Sequence, residues 1–342
     1  MFKPLTATNL SEIKVFYKFR YVVSPRVLEN IFDKLRLEDT YGDCKDLKVM
    51  DLNAGPAQQS IIFNNRYRCK QHLLMDNRPQ FTNFWERNLK KSHFQMSPQD
   101  PYDWESYLML IDHQKLFVPE KQPRDHIHNK FLIMGNLTDK KEEGLLMQWY
   151  NCVGQKNWLQ RFGRVKMLLW VPTSSARKLL APASSTQRAK CSLVCETFTD
   201  SKIIALTQDE ESDLFDKKLL DKFDPIWVDY SSTLPQKFSK TKKSPMCLLE
   251  IDPLDFELNK GNWDYVTQHL MIQKSTPLID AIESLGPGAT DFFTKQINDP
   301  EFMKRCPYTF SAEEFIYLSD IYFRWPFKPD VFMNLFNAQQ EE

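Results

Sequence analysis

Long apolar runs, paired cysteines and a net charge are all missing from this sequence of 342 residues. No window reaches the roughly 18 uninterrupted apolar residues that a membrane helix needs, so no segment is predicted to cross a bilayer. The seven cysteines are odd in number and show no paired spacing, which favours free thiols in a reducing compartment. Cys191 and Cys195 lack a second pair, and His126 and His128 lack further ligands nearby, so no zinc site is expected.

The zero net charge hides a strong asymmetry along the chain. Residues 1–195 hold 30 Lys and Arg against 19 Asp and Glu, whereas residues 196–342 hold 15 against 26. Residues 144–195 contain no acid in 52 positions. A run of charge is often only a solvated face, but bases interleaved with aromatic residues also suit a polyanion. The bases of this acid-free stretch are Lys156, Arg161, Arg164, Lys166, Arg177, Lys178, Arg188 and Lys190.

Short apolar segments alternate with amphipathic ones through roughly the first three quarters of the chain. Most of the apolar segments are continuously apolar and so have no polar face for solvent, which is typical of a mainly parallel sheet covered by helices on both faces. The predicted strands are 47–52, 72–76, 93–97, 130–137, 165–171, 202–207 and 246–252, and helices are predicted over 27–35, 83–91 and 143–154.

Beyond about residue 255 the apolar spacing becomes helical. Ser311 with Glu314 forms a capping-box signature for a last helix, which Pro326 should end near Trp325. We therefore predict an α/β domain over residues 1–255 and a small helical domain over 256–342. The tail from about 326 to 342 is expected either to dock on the body or to be mobile.

Acidic residues follow three successive predicted strands. Asp51 precedes a turn that contains Gly55, Asp76 comes about 25 residues later, and Asp100 follows the third strand. In a doubly wound sheet these positions receive a nucleotide-like ligand, with the second acid on its ribose hydroxyls. Each acid could also be an ordinary helix cap.

The order of the segments "KVFYKFRYVVSPRVLENIF", "DLNAGP", "MDNR", "QDPYDW", "GNL" and "LLWVPTSSARKLL" resembles the rRNA adenine dimethyltransferase family over nearly the whole chain. The resemblance implies a class I methyltransferase fold, Rossmann-like, with a mainly parallel seven-stranded sheet and a small C-terminal helical domain. The segments "NWDYVTQHLMI" and "WPFKPD" resemble the fungal mitochondrial transcription factor branch of this family. That branch implies a sigma-like promoter-specificity factor for the single-subunit mitochondrial RNA polymerase.

The family's motifs are present here with substitutions. Its first motif, acid–apolar–Gly–x–Gly, has Asn53 in place of the first glycine, where a side chain should crowd a cofactor. Its catalytic motif should hold a flipped adenine against an aromatic ring, but Thr138 replaces the proline and Asp139 the aromatic residue. Losing a base–aromatic stack costs about 1–3 kcal/mol. The resemblance implies a vestigial S-adenosylmethionine site at Asp51, Leu52, Gly55, Asp76, Asp100 and Asn136, and a degenerate catalytic motif at Asn136, Leu137, Thr138 and Asp139.

If methyl transfer is lost, the nucleic-acid surface becomes the function. Tyr102 and Trp104, on the loop after the third strand, are expected to be exposed for stacking on unpaired bases. Trp158 and Phe162 could equally be the core face of a helix. The predicted nucleic-acid contacts are Tyr102, Trp104, Lys156, Trp158, Arg161, Arg164, Arg177, Lys178, Arg188 and Lys190.

Three functions fit these residues. The first is a non-enzymatic initiation factor that opens promoters with mitochondrial RNA polymerase, binds the melted strand and requires no cofactor. The second is an active, S-adenosylmethionine-dependent rRNA adenine dimethyltransferase, and a weaker third is a protein that only senses this cofactor. Asn53, Thr138 and Asp139 argue against the second. The resemblance also implies the mitochondrial matrix as the location, with import information inside the mature chain, because the segment from residue 16 to 25 already belongs to the family's fold.

Overall fold

A computed structural model describes residues 3–6, 9–10, 13, 19–90, 92–210, 212–234 and 244–329. The chain divides into two compact units, which are described separately. Unit 1 comprises residues 1–176 and 199–255, and unit 2 comprises residues 177–198 and 256–342. No helix within the described ranges is long and apolar enough to cross a membrane.

Unit 1 is built around an eight-stranded sheet with the order β4-β3-β2-β5-β6-β10-β7-β8 and a two-stranded sheet of β1 and β9. In the eight-stranded sheet, pairing is parallel except where β10 runs antiparallel to β6 and β7, and the β1–β9 pair is antiparallel. The strands are β1 (Tyr21–Val22), β2 (Lys48–Leu52), β3 (Gln71–Met75), β4 (Phe94–Ser97), β5 (Ile127–Asn136), β6 (Arg164–Pro172), β7 (Thr199–Thr207), β8 (Ile226–Val228), β9 (Thr233–Leu234) and β10 (Met246–Pro253).

The predicted mainly parallel sheet is confirmed, and all seven predicted strands are present in it. The predicted count of seven was wrong, because β8 adds an eighth strand at the edge. This strand has only three residues and leaves Trp227 exposed, so its apolar run is too short to mark a strand as the runs of the central strands do.

Helices cover the sheet where amphipathic spacing predicted them. The predicted helices over 27–35, 83–91 and 143–154 correspond to α1, α4 and α6. The helices are α1 (Pro25–Leu35), α2 (Glu38–Tyr41), α3 (Gln58–Tyr67), α4 (Pro79–Asn88), α5 (Trp104–Leu108), α6 (Glu143–Gln155), α7 (Thr173–Leu179), α8 (Lys190–Phe198), α9 (Lys217–Phe223), α10 (Lys260–Ile272), α11 (Leu278–Ala281), α12 (Ala289–Gln296), α13 (Pro300–Lys304) and α14 (Ala312–Arg324).

Unit 2 is helical, as the spacing beyond residue 255 predicted. Its last helix, α14, begins with the predicted capping box of Ser311 and Glu314 and ends at Arg324, with Trp325 as its C-cap. The predicted boundary at residue 255 did not include residues 177–198 in this unit. They belong to it because Phe198 packs against Trp263, with ring centroids 4.9 Å apart, and because Arg188 donates to the Phe310 carbonyl. Of the predicted tail, residues 330–342 lie outside the described residues.

Candidate cofactor cleft and nucleic-acid surface

The chain reverses its direction of sheet growth between β2 and β5. Strands β2, β3 and β4 follow one another outward, and β5 then returns to the other side of β2. The carboxyl ends of parallel strands at such a switch point form the ligand crevice of this class of fold. The small cavity found there is bordered by Asp51, Asn53, Gly135 and Asn136 and has a volume of about 20 Å³. That is space for about one water molecule.

The Asp51 carboxylate has its hydrogen-bond partner within unit 1. The Ser60 hydroxyl donates to Asp51 Oδ2 at 2.6 Å, and His72 Nε2 lies 3.8 Å from the same oxygen. Asp51 and its neighbour Leu52 are both buried. The first predicted cofactor acid therefore faces a buried polar cluster.

Asp76 is fully buried and bound by the backbone and by an arginine. The Gly55 N–H donates to Asp76 Oδ2 at 3.0 Å, and Arg78 Nε donates to Oδ1 at 2.7 Å. A second Arg78 nitrogen completes a bidentate pair, the strong form of a carboxylate–arginine contact. The Arg78 guanidinium also lies over the rings of Phe19 (4.1 Å) and Phe81 (4.7 Å). The predicted ribose-binding acid thus already holds an internal cation.

Both carboxylate oxygens of Asp100 accept hydrogen bonds from neighbouring loop residues. Asn77 Nδ2 donates to Oδ2 at 2.7 Å, and the Tyr102 N–H donates to Oδ1 at 2.8 Å. The third predicted cofactor acid therefore holds together the loops that follow β3 and β4.

The turn from β2 into α3 is covered by an aromatic ring. Asn53 and Gly55 both have positive φ, 55° and 58°, and asparagine is among the few residues that tolerate this region. The Gly55 carbonyl accepts a hydrogen bond from Trp85 Nε1 at 2.8 Å. A Cβ at Gly55 would lie 2.3 Å from Tyr21 Cε1. Tyr21 therefore makes the close approach to this glycine that a bound ligand makes in nucleotide-binding folds of this class.

The Asn136-Leu137-Thr138-Asp139 motif is hydrogen-bonded to the segment before β1. Asn136 Nδ2 donates to the Arg20 carbonyl at 2.7 Å, and the Arg20 N–H donates to Thr138 Oγ1 at 2.8 Å. Leu137 is buried, and the Asp139 carboxylate accepts from the Lys141 N–H at 3.1 Å. The amide that the resemblance assigns to a target adenine is thus bound to the chain's own backbone.

The mouth of the cleft carries the predicted aromatic loop. Tyr102 is 53% exposed, as expected, while Trp104 at the start of α5 is half-buried. Asp103 caps α5 by accepting from the Glu105 N–H. Nearby, burial and then the charges of Asp139 and Asp100 raise the pKa of Glu142. The mouth is therefore acidic as well as aromatic.

Arg20, Tyr21, Asn77 and Arg78 were not foreseen from the sequence as parts of this site. Arg78 left one signal, a base two positions after Asp76. Tyr21 left none, because its contact to Gly55 joins residues distant in sequence. Across the described ranges, no group of three or more His, Cys, Asp or Glu side chains could hold a metal ion.

Comparison with known proteins identifies the family. Residues 10–320 match the family model described as "Ribosomal RNA adenine dimethylase". The chain is 45% identical over 334 residues to mitochondrial transcription factor 1 of Saccharomyces paradoxus, covering 98% of this chain and 96% of that protein. It is 46% identical over 336 residues to the protein of the same name from Lachancea kluyveri, covering 98% of each. The chain belongs to the ribosomal RNA adenine dimethylase family.

Solved structures agree on the fold of this family. A dimethyladenosine transferase from Plasmodium falciparum has a TM-score of 0.53 at 12% identity, covering 86% of this chain and 94% of its own. The 23S rRNA methyltransferase ErmE has a TM-score of 0.51 at 10% identity, covering 84% and 96%. Within the family, the chain groups with the mitochondrial transcription factors, which places its function in transcription initiation and its location in the mitochondrion.

Two of the nucleic-acid contacts predicted for this family member are wrong, because their side chains are buried. Trp158 stacks on Trp149 with ring centroids 4.9 Å apart and meets Tyr107 edge-to-face at 5.4 Å. Arg188 has no exposed surface and donates to the Ala181 carbonyl, the Phe310 carbonyl and Glu196. Neither side chain can reach a nucleic acid in the folded protein.

Three further predicted phosphate contacts, Arg161, Arg164 and Lys190, have side chains that are bound to other groups of the protein. Arg161 Nη2 donates to both carboxylate oxygens of Asp112, and the guanidinium lies over the ring of Phe162, itself half-buried. Arg164 donates to the Pro253 carbonyl at 2.7 Å, and Lys190 lies 3.5 Å from Asp264.

The remaining predicted bases face solvent to different extents. Lys156 and Lys178 are exposed, and Arg177 is half-buried with its Nε donating to Gln187. These three residues stay predictions as phosphate contacts.

Proposed function

We propose that this chain gives the single-subunit mitochondrial RNA polymerase a specific start site and helps it to melt promoter DNA in the mitochondrial matrix, without methyl transfer. The relatives named mitochondrial transcription factor 1 support the role in initiation. The observation that carries the loss of chemistry is the internal occupation of the cleft: Arg78 binds Asp76, and Tyr21 lies on Gly55.

A methyl donor would have to displace several satisfied contacts at once. It would need to separate a bidentate, buried Arg78–Asp76 pair, and breaking such a pair costs about 3–5 kcal/mol. It would also need to lift the Tyr21 ring from Gly55. The target base would find Asp139 where the family has an aromatic ring and would lose a stack of about 1–3 kcal/mol. We therefore propose that no S-adenosylmethionine is required and that the motif at residues 136–139 is inactive.

The loss of methyl transfer is tested with labelled S-adenosylmethionine. We expect no binding of this cofactor by calorimetry and no label in undermethylated small ribosomal subunits, under conditions in which an active dimethyltransferase labels them. Stoichiometric labelling of the RNA would instead support the alternative, an active rRNA adenine dimethyltransferase.

The nucleic-acid role rests on the exposed loop at the cleft mouth. Tyr102 and Trp104 offer ring faces to unpaired bases, which stack on aromatic side chains without sequence preference. Lys156 in unit 1 and Arg177 and Lys178 in unit 2 offer charges to phosphates. Promoter DNA with its melted strand, and the polymerase, are thus the proposed partners.

The test is run-off transcription by mitochondrial RNA polymerase on linear duplex promoter DNA, with this chain as the added factor. Specific starts should depend on the factor. The Tyr102→Ala, Trp104→Ala variant should lose about tenfold or more on duplex DNA, given about 1–3 kcal/mol per stacked base, and much less on a pre-melted bubble. Leu108→Ala, an exposed apolar residue of the same helix α5, is the matched control and should act as wild type. Equal defects on both templates would point to polymerase docking instead.

A further inference from the structure

The loop that presents Tyr102 and Trp104 is fixed from one side by a pair of side chains. Asp100 Oδ1 accepts from the Tyr102 N–H at 2.8 Å, and Oδ2 accepts from Asn77 Nδ2 at 2.7 Å. The Asp103 N–H donates to the Asp100 carbonyl at 3.2 Å. Asn77 belongs to the segment after β3, which Asp76 and Arg78 hold in place. One carboxylate therefore connects the aromatic loop to the most buried ion pair of the cleft.

A second anchor holds the same loop from the other side. The Tyr107 hydroxyl donates to the Pro101 carbonyl at 2.7 Å. The Tyr107 ring is buried and packs edge-to-face on Trp158, which is stacked on Trp149. Trp158 thus supports the loop from the core, which is one of the two roles that the sequence left open for it.

We propose that Asn77, Asp100 and Tyr107 are positioning residues for base stacking by Tyr102 and Trp104. This inference rests on the proposed function. An exposed loop that must be ordered on binding loses affinity, whereas a loop already held in its bound form does not. Asp100, which the family resemblance assigns to the S-adenosylmethionine site, acts here by holding the loop that presents Tyr102 and Trp104.

The Asn77–Asp100 contact can be tested by exchanging its two side chains. Asn77→Asp places a carboxylate against Asp100 and should release the loop, because two negative oxygens cannot share this 2.7 Å contact. Asp100→Asn should be tolerated, since the Asn77 amide can turn its oxygen toward the new donor. The double variant Asn77→Asp, Asp100→Asn restores one donor and one acceptor and should recover most of the activity.

The readout is promoter opening, followed by 2-aminopurine fluorescence in the melted region with mitochondrial RNA polymerase present. We expect Asn77→Asp to weaken opening of duplex promoters about fivefold, the loss of a typical hydrogen bond, and to have little effect on a pre-melted bubble. Tyr107→Phe, which removes one oxygen and keeps the buried ring, should likewise weaken opening of duplex promoters and have little effect on a pre-melted bubble. The thermal unfolding midpoint of both variants should stay within a few degrees of wild type, and a larger drop would indicate a folding defect.

Non-additivity separates positioning from general stability. In the Tyr102→Ala, Trp104→Ala background, Asn77→Asp and Tyr107→Phe should have no further effect, because they act through the missing rings. Additive losses, or a failure of Asp100→Asn to rescue Asn77→Asp, would overturn the inference while leaving the proposed function intact. If removing both rings has no effect on duplex promoters, the proposed stacking role itself fails.

Discussion

The guanidinium of Arg188 shows what a buried base does in this protein. It donates to two backbone carbonyls and to Glu196, all within unit 2. Arg188→Ala should therefore destabilise unit 2 by about 3 kcal/mol, because it leaves buried acceptors without a donor and Glu196 without its partner. Urea unfolding followed by tryptophan fluorescence measures this loss.

Lys178 is the matched control for Arg188, since it is a base of the same stretch and the same unit but is exposed. Lys178→Ala should change the unfolding free energy by no more than about 0.5 kcal/mol, as for most surface substitutions. A stable Arg188→Ala variant with weaker DNA binding would contradict the structural role and restore Arg188 as a phosphate contact.

At the scale of the element, the β2–α3 turn combines backbone strain with close packing. Gly55 and Gly42 share a φ of 58°, but only Gly55 has an aromatic ring against the space of a Cβ. Gly55→Ala should therefore destabilise unit 1 by about 2 kcal/mol more than Gly42→Ala, the usual range for overpacking. Chemical denaturation of both variants measures the difference. Equal losses would show that Tyr21 moves aside freely and does not close the cleft.

The elements that the sequence predicts well are those whose burial is continuous. Strand β6 has almost every side chain buried, and β5 is buried from Phe131 to its end, so their apolar runs can be recognised without knowledge of the fold. Strand β8 could not be recognised this way, because its burial depends on pairing with β7. The helix α14 was predictable at both ends, because its capping box and the proline after Trp325 are local signals.

At the scale of the whole molecule, the positions of the cleft acids were predictable and their partners were not. Strand ends fix where Asp51, Asp76 and Asp100 lie. The contacts that occupy the cleft come from residues 19–22, which tertiary folding brings there, and from Arg78, whose one local signal is its position two residues after Asp76. The prediction of phosphate contacts from charge was limited in the same way, because a count of Lys and Arg residues cannot distinguish an exposed lysine from the buried Arg188.

The salt dependence of promoter binding tests how many bases reach phosphate. Seven bases of the acid-free stretch are candidates by sequence, but Arg188 is buried, Arg161 and Lys190 lie beside an acidic side chain, and Arg164 donates to a backbone carbonyl. Three bases remain, Lys156, Arg177 and Lys178, and three contacts at about 0.9 each give a log–log salt slope of roughly −3 from this stretch.

Single substitutions then test which of these bases contact phosphate. Lys156→Ala and Lys178→Ala should each flatten the slope of the polymerase-bound factor by roughly 1 without changing promoter choice, because phosphate contacts carry no sequence. Lys190→Ala should leave the slope unchanged, since Lys190 lies beside Asp264 and burial lowers its pKa. The isolated factor should bind duplex DNA weakly, because residues 196–342 carry 26 acids against 15 bases. A contribution to the slope near −5, or equal effects of all three substitutions, would mean that Arg161, Arg164 and Lys190 leave their partners when DNA binds.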